Sequence, residues 1–597
     1  MQYSQPIARE DSRPQTRPNR SERHSAAWGN GTKKLFILLT AIVFVNLAMA
    51  QNPSKFSSDL ENRLQQDSDS PVRVIVQYKT VPNASHLATA RSLGARFHAQ
   101  LPLVKANVFT MTPAALAALA ADSDVAFISP DHPVHASAYS NNPDYYGEAV
   151  FVQSAWNQYD GAGIGIALID SGITNNGDFG SQIVYSQSFV SGQSSTADAY
   201  GHGTHVAGIL AGNGANSTGS NFSHTFLGIA NGANLINLRV LDQNGAGTDS
   251  AVIAAIQEAI TLKSTYNIRV INLSLGRGVS QSYITDPLCQ AVESAWKAGI
   301  VVVVAAGNNG RVNAANTNGY GTIDAPGNDP YVITVGAMKP MGTPDRSDDL
   351  IASYSSKGPT LFDRVVKPDL VAPGNLVIST LASTSATLYT TANTVPTNYY
   401  NNSGSSAGST KYFKLSGTSM ATPVVAGTAA LLLQENPTMT PDQIKARLMQ
   451  TAYKNFPQYS SVSVNSVTYT DQYDIFTVGA GYLDIQNAMN TTNLAPTGVG
   501  VALSPTVTLN SSGQVGLSPG SSTVWYTSGT DLSESVVWGT SELVNGSSVV
   551  WGSSVVWGTS TDQGYSVIWG SSVVWGSSVI WGSSAQSQAT SITLSGE

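Results

Sequence analysis

Four residues of this 597-residue chain carry side chains that together suit nucleophilic acyl transfer: Asp170, His202, Asn308 and Ser419. Such chemistry needs a hydroxyl nucleophile, an imidazole to take its proton, a carboxylate to fix the imidazole tautomer, and donors for a tetrahedral oxyanion. Asp170 closes the run Ile166-Ala167-Leu168-Ile169-Asp170 and is followed by Ser171-Gly172. A carboxylate ending an apolar strand is costly without a partner, although taken alone it could equally cap a turn. His202 stands in Gly201-His202-Gly203-Thr204-His205-Val206-Ala207-Gly208, small residues that let a helix come close to its neighbours. The His202 and His205 pair invites a metal hypothesis, but the H-x-x-x-H spacing with an intervening glutamate is missing. Ser419 follows Ser416-Gly417-Thr418 and opens the apolar stretch to Leu433. It would therefore sit at a helix N-terminus, whose free N–H groups favour a developing anion. Pro423 is tolerable near such a start. Asn308, in Ala306-Gly307-Asn308-Asn309-Gly310, is an ordinary turn residue by itself, yet its amide could be aimed at an oxyanion.

These residues need a rigid frame, and the region from Ala149 to about Asn490 supplies the pattern for one. Ile164 to Ile169, Leu235 to Val240, Val270 to Leu275, Val301 to Ala305 and Val332 to Val335 are continuous apolar runs. Strands of that kind are buried on both faces, as in a parallel sheet covered by helices. Ser250 to Lys263, Pro287 to Lys297, Thr418 to Gln434 and Pro441 to Ala452 supply the helices. The expected fold is α/β, a three-layer α/β/α sandwich with a mostly parallel sheet, binding ligands beyond the carboxyl ends of its strands. Asn213 to Ser223 and Ser379 to Thr410 are polar interruptions, the second reading as a surface insertion.

The flanks differ from this core. Lys33 and Lys34 precede an apolar run, Leu35 to Leu47, which ends in Ala48-Met49-Ala50. That is the layout of a secretory signal, with an uncleaved anchor as the alternative. Between residues 51 and 140, Val72 to Tyr78, Asn107 to Thr112 and Val125 to Ile128 read as strands. Ser85 to Leu93 and Pro113 to Ala121 read as helices, a small split β-α-β unit. In the tail, tryptophans 538, 551, 557, 569, 575 and 581 recur in a V-[VI]-W-G-S-S hexad with one slipped step. An even period would place the indoles on one face of a strand, whereas the Gly-Ser-Ser steps would allow a short solenoid. The tail is either a repetitive structural element or a surface for glycan or cell envelope, with a membrane-active role as a third option.

Composition narrows the classes further. Charged residues make up only 11% against 54 glycines, which suits a loop-rich exported protein. The net charge of -8 and the lack of a basic stripe argue against nucleic acid as a partner. The single cysteine, Cys289, excludes an intramolecular disulfide and reads as a small buried side chain.

The motifs A-L-I-D-S-G, G-H-G-T-H-V-A-G, A-A-G-N and G-T-S-M-A-T-P occur in that order, and the chain resembles the subtilase family from about Ala149 to Asn490. The order Asp, His, Ser is the subtilisin one, not that of chymotrypsin or the α/β-hydrolases. The resemblance implies a serine endopeptidase with Asp170, His202 and Ser419 as its triad and Asn308 in the oxyanion hole. It implies that Asp198 supports the histidine loop and that Ser274-Leu275-Gly276 pairs with an extended substrate. Ala305-Ala306-Gly307 would be a wall of the primary pocket, and Val366 to Gly374 resembles a further family signature. Residues 72 to 135 resemble the family's propeptide, an inhibitor and folding chaperone, so self-cleavage would fall between His135 and Tyr145. Asp324 stands where the best-known members often have glycine at the pocket floor. A carboxylate there would favour a basic side chain in the substrate, unless backbone amides tie it up. No cofactor is required for the chemistry. Asn213 to Ser223 lacks the carboxylates of the family's calcium loop, so no calcium site is expected there, although calcium elsewhere is compatible.

The expected organisation is a signal with a long polar N-region (1–50), propeptide (51–140), catalytic domain (141–490) and repeat tail (491–597). The expected product is a secreted or cell-surface zymogen acting on proteins and peptides. Two rivals remain: an adhesive protein with the tail as its working end, and a processing protease with a narrow substrate.

Overall fold

A computed structural model describes residues 55–57, 59–61, 64, 70–136, 146–312, 317–492, 495, 497–509 and 515–517. The expected signal segment and the tryptophan repeats lie outside the described residues. The first folded element is a four-stranded antiparallel sheet of β1 (Val72–Tyr78), β2 (Arg96–Leu101), β3 (Ala106–Met111) and β4 (Val125–Pro130), in the order β2-β3-β1-β4. The Ala84–Ser92 and Pro113–Ala120 helices complete this unit. The expected strands and helices are present here, and β2 is an additional one. Only Leu101 of Arg-Phe-His-Ala-Gln-Leu is buried, the others being half-buried or exposed, so the strand leaves no apolar run in the sequence.

The chain then runs through β5 (Pro133–Ala136) into the main sheet. Its strands are β6 (Gly165–Asp170), β7 (Ile183–Ser188), β8 (Asn234–Arg239), β10 (Ile268–Leu273), β12 (Val301–Ala305), β13 (Ile333–Lys339), β14 (Leu350–Ile351) and β15 (Leu370–Pro373). The order is β14-β13-β12-β10-β6-β8-β7, with β15 added on β13, and every pairing except β13–β14 is parallel. β6 and β12 are buried along their whole length, which is why they read as unbroken apolar runs. The Thr418–Glu435 helix packs on the His202–Ala211 helix and on β10, β12 and β13. The Asp249–Thr261 and Pro287–Lys297 helices pack on each other and on β6, β8, β10 and β12. The α/β sandwich predicted from the sequence is the observed fold.

From β6 the chain moves to one side, to β7 and β8, and then crosses back to β10 on the other. This reversal opens a crevice at the carboxyl ends of β6 and β10, the usual ligand position in such sheets. Asp170 is the last residue of β6, and Ser274 follows β10 directly.

The Ser379 to Thr410 stretch is less of a surface excursion than its composition suggests. β16 (Val377–Thr380), β17 (Thr394–Pro396) and β18 (Gly408–Leu415) form a sheet over a small core of Phe226, Ile378, Val395, Tyr400 and Tyr412. Packing also continues past residue 490. The Ser504 hydroxyl donates to Asp369 (2.6 Å), and the buried Lys445 ammonium donates to Ser504 Oγ (2.8 Å) and to the Pro330 and Val332 carbonyls. Lys367 donates to the other Asp369 oxygen at 2.7 Å.

Candidate active site

The four candidate residues converge on that crevice from different elements. Asp170 Oδ1 accepts from His202 Nδ1 at 2.8 Å and from the Ser171 N–H at 2.7 Å, and both partners of the Asp–His pair are out of solvent. A buried carboxylate bonded to one ring nitrogen fixes the tautomer and leaves Nε2 for proton transfer. The pair forms because the helix beginning at His202 can reach the end of β6. A Cβ on Gly203 would lie 2.3 Å from the Gly172 carbonyl oxygen, so only glycine allows this approach.

Asp198 secures the same helix start. Its carboxylate accepts from the Gly201 and Thr204 N–H groups, each at 2.7 Å, and from Ser171 Oγ at 2.8 Å. Ser171 Oγ in turn accepts from the Gly203 N–H at 2.9 Å. The first turn of the helix is thus capped by side chains, and His202 is fixed with it. Burial raises the Asp198 carboxyl above its usual range, and these hydrogen bonds work against the rise. His205 plays a separate part. It is buried edge-on against Phe413, its Nε2 lies 3.0 Å from the Val377 carbonyl oxygen, and burial pushes its pKa down to about 3. It is a neutral packing residue. Among the described residues no cluster of three or more His, Cys, Asp or Glu could hold a metal ion.

Ser419 lies in the first turn of the Thr418–Glu435 helix, which packs on the His202 helix. Its hydroxyl donates to the Ser274 carbonyl at 3.0 Å, while Ser274 Oγ donates to the Ser419 carbonyl at 2.8 Å. Asn308 is oriented by the residue before Ser419. Its Oδ1 accepts from the Thr418 N–H (2.9 Å) and the Thr418 hydroxyl (3.0 Å), which sets the amide with Nδ2 pointing the other way. That buried Nδ2 has no hydrogen-bond partner among the described residues. An unsatisfied buried donor beside a candidate nucleophile is what an oxyanion-stabilising group would require before a substrate arrives.

Two strands border the cleft. β11 (Leu275–Gly276) and β9 (Ala246–Thr248) have β5 inserted between them, both pairings antiparallel. Gly276 pairs with His135, Leu275 with Ala136, and Gly247 with Val134. β11 was expected to pair with an extended peptide; β9 was missed, because Ala-Gly-Thr has no apolar run to mark it. Ala305 ends β12, which contacts β11, and Ala306 and Gly307 follow it. Asp324 bridges the two sides, its N–H donating to Ala306 O (2.9 Å), while Ala325 exchanges backbone bonds with Arg277. Among the described residues no backbone amide donates to the carboxylate, the alternative raised from the sequence. Its partner is the Asn309 side-chain amide, 3.3 Å from each oxygen.

An ionic network near the cleft had no sequence signal. Arg277 pairs with Asp249 and Asp286, and the His132 ring lies 3.2 Å from Asp249 and 2.7 Å from Asp59. Cys289 is buried away from the cleft, 3.2 Å from Asn328 Oδ1, and burial raises its thiol well above the usual range. The Asn213 to Ser223 loop is tied down by a carboxylate from outside it: Asp178 accepts from the Asn216 N–H at 2.7 Å and from Tyr412 Oη at 2.5 Å.

A parallel sheet with a buried Asp–His pair and a helix-start serine at its switch point defines a hydrolase of the serine-protease class. The family comparison agrees: residues 161–482 match the subtilase family model, and the chain belongs to that family, whose members are serine endopeptidases. Serine protease AprX of Bacillus subtilis (strain 168) is 39% identical over 295 residues, which is 48% of this chain and 61% of that protein. Subtilisin E of Bacillus subtilis (strain 168) is 32% identical over 428 residues, 70% of this chain and 94% of that one. The crystal structure of fervidolysin from Fervidobacterium pennivorans shares the fold, with a TM-score of 0.54 at 22% identity over 74% of this chain and 63% of that one. Members of this family need no cofactor for peptide hydrolysis. Among the described residues no helix is long and apolar enough to cross a membrane.

Proposed function

We propose that this chain is a secreted, self-processing endopeptidase in which Ser419 is the nucleophile, His202 its base and Asp170 the residue that orients the base. The observation that carries the reading is the buried 2.8 Å bond from His202 Nδ1 to Asp170. In the resting arrangement the Ser419 hydroxyl rests on Ser274 O; rotation about its Cα–Cβ bond turns it toward the imidazole as substrate enters. Attack on a peptide carbonyl gives a tetrahedral oxyanion that accepts from Asn308 Nδ2 and the N–H groups at the helix start. His202 then protonates the leaving amine, and water hydrolyses the acyl-enzyme by the same steps in reverse.

Substrates bind as an added strand between β9 and β11, so unfolded or loop segments of proteins fit best. β5 already holds that position, which supports reading residues 51–140 as an inhibitory propeptide cut between His135 and Tyr145. The catalytic domain is then 141–490 with the segment through Ser504 packed on it, followed by the repeat tail. The basic and apolar pattern of residues 33–50 supports export. In the tail, the row of indoles suits sugar rings as well as a structural role; glycan retention of the full chain, but not of a chain ending at residue 517, would favour binding.

Casein hydrolysis by the full chain beside Ser419→Ala tests the central reading. The expected loss is about 10⁴-fold or more, and equal activity in the two proteins would remove Ser419 from the mechanism.

A further inference from the structure

The pocket at the cleft floor contains a charge that the peptide hydrolysis itself does not use. We propose that Asp324 determines specificity, its carboxylate pairing with a basic side chain at the substrate residue just before the cleaved bond. This rests on the endopeptidase reading and adds to it the class of substrate.

The carboxylate lies against two glycines of the cleft. A Cβ on Gly307 would come within 2.5 Å of Asp324 Oδ2, and a Cβ on Gly276 within 3.1 Å of Asp324 Cβ. The carboxylate therefore occupies the space that two glycines leave open, one on β11 and one beside Asn308. Gly307 takes φ +104°, a region that side-chain-bearing residues avoid, so the opening is built into the backbone. A peptide extended along β11 passes Gly276 and reaches Ser274, where Ser419 Oγ is bound. Its side chain at that point descends between Leu275-Gly276 and Ala305-Gly307 onto Asp324.

Among the described residues no cation forms an ion pair with the carboxylate. Asn309 offers only two long contacts from one amide. Arg277 is the nearest guanidinium, and its Nε and Nη2 donate to Asp249 and Asp286, both buried. From the other side the neighbours are neutral: Asn309, and Ser356 Oγ, which would lie 2.9 Å from a Cβ on Gly307. Lys357, beyond Thr322, gives its ammonium to Asp471 and the Asn318 carbonyl. A substrate guanidinium or ammonium would supply the missing partner with charge-assisted hydrogen bonds.

Burial pushes the Asp324 carboxyl up to about 7, against the opposing pull of Arg277 and Asn309. The group is neutral below that pH and anionic above it. Preference for a basic side chain is then present at pH 8.5 and fades toward pH 5.5, while an apolar side chain is accepted at both.

The test compares two peptides that differ only in Arg or Phe before the cleaved bond, using the full chain and Asp324→Asn. The ratio of kcat/KM values within one preparation cancels differences in active fraction. At pH 8.5 the Arg to Phe ratio should be about tenfold higher with Asp324 than with Asn, the scale of a hydrogen bond to a charged group. In the unaltered chain the ratio should fall by a similar factor at pH 5.5, a measurement that stands even if the variant fails to fold. Equal ratios in the two proteins, or a ratio flat with pH, overturn the proposal. Failure of the unaltered chain to cut either peptide would instead overturn the endopeptidase reading, so the two failures are separable.

Discussion

The Asn308 side-chain oxygen is held by both the backbone N–H and the hydroxyl of Thr418, at 2.9 and 3.0 Å, so the residue beside the serine orients the amide. Asn308→Ala should lower kcat by about 10²–10³ with little change in KM, the loss known for the corresponding donor in a subtilisin. Thr418→Val removes the hydroxyl donor but keeps the N–H, so its effect on kcat should be smaller. Steady-state kinetics on a chromogenic peptide distinguish them. A Thr418→Val kcat equal to that of the unaltered chain would mean that the hydroxyl does not position the amide.

Asp170→Asn keeps the shape of the buried pair but presents an amide to His202 Nδ1. The imidazole then loses its preferred tautomer, and kcat should drop about 10⁴-fold with KM nearly unchanged. Retention of more than a tenth of the activity would contradict the orienting role.

Asp198 accepts three hydrogen bonds at the start of the His202 helix, and Asp198→Ala leaves those buried donors without it. A cost of about 1–3 kcal/mol is expected, seen as a lower midpoint in urea together with reduced kcat. Reduced stability with unaltered kcat per folded molecule would make Asp198 a cap only.

His132 joins the N-terminal unit to the catalytic body through Asp59 and Asp249. Burial and Arg277 pull its pKa down, but the two carboxylates overcome them and push it up to about 9. The bound form is therefore cationic. Its contribution to docking is complete below the free imidazole value of about 6.5 and is lost as pH rises through about 9. If the chain is cut between His135 and Tyr145 as proposed, size-exclusion chromatography should retain the N-terminal unit at pH 6.5 and release more of it at pH 10. Equal retention at both, or greater release at pH 6.5, would contradict this.

Much of the frame was legible because burial on both faces leaves a continuous mark. β6, β10 and β12 showed as apolar runs, and the Pro287–Lys297 helix matched its expected limits. Strands whose environment is mixed escaped notice. β7 is half-buried with an alternating pattern; β15, although buried throughout, escaped because it has only four residues ending in proline. Within the site, the residue types at 170, 202, 308 and 419 pointed to a chemistry, but the contacts that aim them did not. Thr418 on Asn308 joins stretches 110 positions apart, and Arg277 reaches back 28 positions to Asp249. No local spacing marks such meetings.

The bond between Ser504 and Asp369 limits how this enzyme can be recombined with other modules. Lys367 and Lys445 lie deep in the body, and the carboxylate between them depends on a hydroxyl contributed by the segment leading to the repeats. A graft that exchanges the C-terminal extension should therefore splice downstream of Leu509. Cutting at Asn490 would remove the hydroxyl that donates to Asp369 and accepts from the interior Lys445 ammonium, and would damage the host along with the appendage.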